Sequence, residues 1–286
     1  MLLRIPKRHA HRHKRHPLGG APLFVFGLQK YAVFATKGFV QNLQYRASHL
    51  VNSVASAVFG LIYIHIWLAV TPPEGFGDYT ARTMVYYVAF NQTILWLTQF
   101  GVRVHLKVSE AVRSGNIGSE LVRPVDYFGY RVSQEMGSQT YSLLFRGLPV
   151  GLILSFVGYY FPARAVTWLW TFIALALAGY VFVVIQYMVG ISAFWTQEIR
   201  TLTWVSLTLA YGMGGASMPL EVLPPLLEKV ARLSPFACLA FYPARIYLEL
   251  SDPDVIWFAL FWAVSLTMLA RYLTRLARRV LEVSGG

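Results

Sequence analysis

Few side chains in this sequence have the type and spacing that chemistry requires. Four histidines, His9, His11, His13 and His16, crowd the N-terminal run MLLRIPKRHAHRHKRH. Clustered imidazoles can hold a metal ion. Here no acidic or Cys ligand stands beside them and nothing enforces a geometry, so no metal site is expected. The single cysteine, Cys238, leaves no intrachain disulfide and no Cys pair for zinc. There is no G-x-x-x-x-G-K-[ST] phosphate loop, so this chain is not expected to hydrolyse ATP, and neither H-E-x-x-H nor G-x-S-x-G occurs. No catalytic residue and no bound cofactor are therefore expected. What remains is a set of polar side chains inside apolar runs: His65, Asn91, Gln92, Thr93, Thr98, Gln99, Arg146 and Gln186. In hydrocarbon such groups either hydrogen-bond to neighbouring helices or line a path for polar cargo. Asn91, Gln92 and Gln186 are the candidates for a translocation path. The runs hold no paired carboxylates of the kind a proton-coupled pump often uses.

The longest polar interruption after the N-terminal tail is residues 103–135, RVHLKVSEAVRSGNIGSELVRPVDYFGYRVSQE. Within it, residues 109–113 read as a short helix stopped by Ser114-Gly115. Arg123 precedes Pro124, which biases it away from helix, so a turn is expected there. A charged, proline-ended piece between apolar runs suits docking to a soluble partner. It also suits an ordinary solvated loop, and local sequence alone leaves both readings open.

These residues must be positioned by elements built for lipid. The 286 residues are 56% hydrophobic and 13% charged, against about a quarter charged in a soluble domain. Several nearly charge-free runs approach the roughly 20 residues that cross about 30 Å of hydrocarbon as a helix. The expected fold is an all-α integral membrane protein of six transmembrane helices, at about 50–70, 83–102, 139–161, 166–193, 202–216 and 255–269. A basic tail (1–29) precedes a single membrane domain (30–280), and residues 31–49 read as an interfacial amphipathic helix. Pro149 is expected to kink the third span, with Arg146 near its start either pairing with Glu135 or Gln139 or snorkelling to headgroups. Residues 214–250 carry Pro219, Pro224, Pro225, Pro235 and Pro243. No single helix survives that many prolines, so short re-entrant helices are expected.

The net charge of +12 would suggest nucleic acid if position were ignored. With six spans, the N-terminal region, residues 103–135, residues 194–201 and the C-terminus share one side and hold 19 of the 25 Lys and Arg residues. The positive-inside rule then puts both termini in the cytoplasm, with the tail against anionic membrane lipids and no nucleic-acid partner. The opposite loops carry seven acids: Glu74, Asp78, Glu221, Glu228, Glu249, Asp252 and Asp254.

The pattern resembles the permease subunit of a bacterial type-2 ABC exporter, in the branch of six-span permeases related to viologen and drug exporters. Three stretches carry the resemblance: the amphipathic entry helix; Arg113-Ser114-Gly115-Asn116-Ile117 through Leu121-Val122-Arg123-Pro124-Val125; and Met218-Pro219-Leu220-Glu221-Val222-Leu223-Pro224-Pro225 with Ser234-Pro235-Phe236 and Tyr242-Pro243-Ala244-Arg245-Ile246-Tyr247-Leu248. It covers about residues 30–275. It implies an ATP-driven exporter in the bacterial inner membrane. Two permease subunits, the same or related chains, would bind two ATPase subunits that carry ATP and Mg. Residues 103–125 would include a coupling helix seated on the ATPase, with 194–201 a second contact. The implied coupling residues are Glu110, Arg113, Glu120, Arg123 and Glu198. Pro219, Pro224, Pro235 and Pro243 would belong to an extracellular cap on the path. The alternative function is an ATP-independent carrier or channel, active without a partner ATPase.

Overall fold

A computed structural model describes residues 23–196 and 198–284, so the histidine-rich run lies outside the described residues. Among those residues the chain is helical and has no strand. Three helices are long and apolar enough to cross a membrane: Ala47–Val70, Ala165–Thr196 and Val255–Val280. The first and last of these belong to α2 (Arg46–Val70) and α13 (Val255–Ser284). The middle one is α8 (Ala165–Ile191) continued by the one-turn α9 (Ala193–Thr196). The best apolar window is 56% buried in the middle one but 22% buried in the other two. That difference makes α8 the interior post of the bundle and leaves α2 and α13 with wide apolar faces turned outward.

The other three expected spans are helical but carry π turns or are short. Residues 83–102 form α3 (Ala81–Leu95) and a π turn, Trp96–Phe100. Residues 139–161 contain the end of α6 (Tyr127–Ser142), a second π turn, Leu143–Gly147, and α7 (Leu148–Leu154). That helix stops seven residues short of the expected end. Pro149 has no N–H to give the carbonyl of Phe145, and the widened turn sits just before it. Arg146 neither pairs with Glu135 or Gln139 nor reaches out alone: its guanidinium lies 4.6 Å from the Trp96 ring and so joins the two π turns. The fifth span is α10 (Arg200–Gly212), 13 residues, or only about 20 Å of helix. The helix of the sixth, α13, continues beyond the expected span end at residue 269 through the arginine-bearing turns, since arginine is a good helix former.

The entry helix is also corrected. It is α1 (Leu23–Leu43), starting eight residues before the expected point and inside the expected tail, and a break at Gln44-Tyr45 separates it from α2. Its partner is α6. A methyl group on Gly38 would strike the Gln134 carbonyl, and one on Gly137 would strike the Ala35 carbonyl, so the two backbones touch. Asn42 Nδ2 donates to Ser138 Oγ across the same contact at 2.7 Å. Glycine is used here for close approach, as helices do in lipid.

The prolines open helices where six spans would have left a loop. Pro219 precedes the short turn Leu220–Val222, Pro224 precedes α11 (Pro225–Leu233), and Pro235 starts the turn Pro235–Cys238. Pro243 lies in the first turn of α12 (Phe241–Tyr247), where a missing N–H costs nothing. Arg245 stitches this region together: its guanidinium donates to Glu221 (2.5 Å), Asp78 (2.7 Å) and the Leu250 carbonyl (2.7 Å). Arg232 adds Glu221 and Glu228, both at 2.8 Å. Among the described residues every ion pair joins two members of one charge set, never one of each. The length of α2, 25 residues or about 37 Å, separates the two sets.

Replacing Gly137 with Ala should push α1 off α6 and destabilise the protein by about 1–3 kcal/mol. Thermal unfolding in detergent and faster proteolytic removal of α1 would report it; an unchanged melting point would show that the two helices are not in contact.

Candidate coupling surface

The charged segment starts with α4 (Val104–Arg113), which is longer than the expected 109–113 because its first turn is anchored. Glu135 of α6, 1% exposed, accepts the Arg103 backbone N–H at 2.6 Å and the Lys107 ammonium at 3.0 Å. A carboxylate at a helix N-terminus satisfies an orphan donor and complements the dipole. Val104, Val108 and Ala111 repeat at helical spacing and are buried against the end of α8. The approach is close: a methyl group at Gly190 would lie 2.9 Å from His105 Cα and 2.9 Å from Val108 Cβ. α4 is thus set on the long interior helix with no side chain between them.

The stop at Ser114-Gly115 is as expected. Ser114 N–H bonds the Glu110 carbonyl (2.9 Å), and Gly115 takes φ +73°, a left-handed value that suits glycine. One turn of helix comes next, α5 (Ile117–Leu121), with Ile117 buried beneath it. The chain then turns at residues 122–125 before Asp126 caps α6 by accepting the Gly129 N–H at 2.8 Å. The turn presents Val122 at 85% exposure, with Arg123 and Pro124 also exposed.

The five expected coupling residues divide by geometry. Glu110, Arg113, Arg123 and Glu198 are exposed. Arg113 and Glu198 come together across α4 and the α9–α10 link, 4.0 Å apart, so the two charged breaks form one surface. The Arg200 backbone N–H holds the Glu198 carboxyl below its ordinary range. Glu120 is turned inward: it accepts from Arg131 of α6 at 2.5 Å, and Arg131 lies against the rings of Tyr127 and Tyr130. Its role is to fix α5 on α6. Sequence reasoning did not single out His105, Lys107, Arg131, Glu135 or Val122 as parts of this surface. Lys107 and Glu135 are 28 residues apart, and no local spacing signals such a pair.

The intramembrane amides are mostly used in packing. Asn91 Nδ2 donates to the Gly215 carbonyl (3.1 Å), which also accepts from Tyr87 (2.5 Å); Gln186 donates to Ser206 (3.0 Å). Gln92 differs. It is 2% exposed, its Nε2 has no partner, and it borders a cavity of about 370 Å³ with Asn52, Ser56, Trp96 and Tyr211. His65 bonds its own helix at the Leu61 carbonyl, 2.8 Å. Cys238 is buried, and no group of three or more metal-ligating side chains occurs among the described residues.

Burial first, and the nearby Arg103 second, push the His105 imidazole down to about 4. Folded His105 therefore binds fewer protons than the unfolded chain between its ordinary 6.5 and about 4. Stability should be full above that window and fall as pH drops through it. His105→Gln should flatten the fall in melting temperature between pH 7 and 5. Glu135→Ala should cost about 1–3 kcal/mol by stranding the Arg103 N–H and the half-buried Lys107, and Lys107→Ala in the same chain should add little.

Among curated proteins, none matches the chain. A protein-family profile described as ABC-2 family transporter protein matches residues 55–285. The match takes in α3 through α13, the charged surface, the proline-rich segment and most of α2, and the chain is a member of the ABC-2 transporter family.

Proposed function

We propose that this chain is the permease subunit of an ATP-driven exporter whose partner ATPase grips the exposed turn at residues 122–124. The family supports a membrane-embedded permease of an ABC transporter with the ATPase on a separate chain. The observation that carries the coupling step is the mounting of that turn. Val122, Arg123 and Pro124 stand free, while the α4–α5 body behind them is fixed to α6 through Glu120–Arg131 and Glu135–Lys107 and to α8 at Gly190. A push on such a turn moves the bundle as a rigid body, because packed interfaces do not deform continuously. Glu110, Arg113 and Glu198 would make rim contacts on the same surface. ATP and Mg would be bound by the partner. Both termini and this surface would lie in the cytoplasm of a bacterium. The three helical stretches that carry π turns or are short would complete six crossings, two copies or related chains would pair, and Gln92 would face the path through its cavity. The proline-rich segment would cap the path outside. The relation to viologen and drug exporters is the finer reading of the same resemblance.

The chain should co-purify with a P-loop ATPase from its native membrane. Arg123→Glu should weaken that association about thirty-fold, the effect of about 2 kcal/mol at an interface hot spot. ATP-dependent export should fall with it, while the variant stays monodisperse. Absence of a P-loop ATPase, or full ATP-dependent export by Arg123→Glu, would sink the proposal.

A further inference from the structure

One cationic pocket takes no part in the coupling surface. Arg271, Arg275 and Arg278 succeed one another on α13 at spacings of four and three, which puts them on one side of the helix. With Thr274 they face Tyr31 of α1 and Asp126 at the start of α6, enclosing about 320 Å³. Asp126 is occupied capping α6. Among the described side chains, which end at residue 280, no carboxylate lies within ion-pair distance of the three arginines. The Phe128 ring lies 5.6 Å from Arg271. Arg278 Nε is shielded from solvent and has no hydrogen-bond partner.

Three guanidinium groups gathered around a single carboxylate, Asp126, leave the pocket net positive and matched to an oxyanion, above all the planar fork of a phosphate. What the oxyanion is attached to is suggested by the rest of the same helix face. Phe261, Val264 and Met268 lie within the same 100° sector as the arginines, one to three turns before them, and are 58%, 45% and 66% exposed. The face therefore reads apolar for about three turns and then cationic for two. The change falls about 24 Å along α13 from Val255, close to the thickness of a bilayer's hydrocarbon. We infer that this pocket binds the phosphate of an anionic phospholipid whose acyl chains lie along the exposed face of α13. The occupied site would tie α1, α6 and α13 together at the end of the molecule that carries the coupling surface. This inference rests on the chain being embedded in a membrane and not on its partner ATPase.

The test uses the purified full chain in nanodiscs of phosphatidylcholine with and without phosphatidylglycerol. Retained lipid is counted by native mass spectrometry, alongside thermal unfolding. Phosphatidylglycerol should be retained in preference to phosphatidylcholine and should raise the unfolding temperature. Arg271→Gln with Arg275→Gln should weaken retention about thirty-fold, from about 1 kcal/mol per basic residue at a membrane surface. Arg275→Lys should keep most of it, and Arg279→Gln, outside the pocket, should keep all of it. Equal retention of the two lipids overturns the inference. So does an equal loss in Arg279→Gln, which would mean diffuse surface charge. Stabilisation by millimolar inorganic phosphate alone would make the site one for a free anion and would overturn the lipid assignment. ATPase association is unaffected in each arm, so failure here is separable from failure of the coupling proposal.

Discussion

Hydrocarbon offers a polar group nothing to bond to, and the whole arrangement of this chain depends on that. The interior amides of Asn91, Gln99 and Gln186 all reach across to α10 or to the segment just after it. α10 is too short to span a bilayer alone. The segment after it is irregular backbone, held by Tyr87 and Asn91 at the Gly215 carbonyl and by the Phe241 N–H at Gly214. Irregular backbone needs protein to cover its polar groups wherever water is excluded, and here α3 and α12 provide that cover.

The same constraint ranks the charged contacts. Arg113 and Glu198 are both more than half exposed and 4.0 Å apart. Such a pair, facing water on both sides, is screened and adds little stability. It brings two loops near each other without holding them. Glu135 has almost no contact with water and accepts a backbone N–H as well as Lys107, so losing it strands two donors. The firm joints of the coupling surface are therefore the inward ones, Glu135–Lys107, Glu120–Arg131 and the bare contact at Gly190. The exposed residues are free to meet a partner. In the proposed coupling, the surface that would bind and the surface that would transmit are opposite faces of α4 and α5.

Much of the fold was legible in the sequence. A long apolar run with no Lys, Arg, Asp or Glu, such as residues 47–70 or α8, reads as a membrane helix, because a helix satisfies its own backbone in hydrocarbon. Positive charge on one set of loops and acid on the other divided the chain into two sets, and the ion pairs respect that division. Prolines at 219, 224, 235 and 243 announced short helices. The π turns were not legible, since their cause is the fit of Arg146 on Trp96 and the shape around Pro149, not a local pattern. The helix 31–49 was displaced for a similar reason: its partner is α6, about a hundred residues on, and the contact glycines Gly38 and Gly137 carry no signal by themselves.

The candidate site divides along the same line. Composition and spacing alone determined that the chain lives in a membrane, lacks a phosphate loop of its own, and presents residues 103–125 as a charged break with a stop at Gly115 and a turn at Pro124. These are local properties, fixed by backbone stereochemistry and by the transfer of side chains to water. Only the tertiary structure decided that Glu120 faces inward while Arg123 faces out, that Glu198 joins Arg113, and that Val122 is the tip. Which face of a short amphipathic helix is buried depends on what packs against it, and for α4 that is Gly190, some eighty residues away.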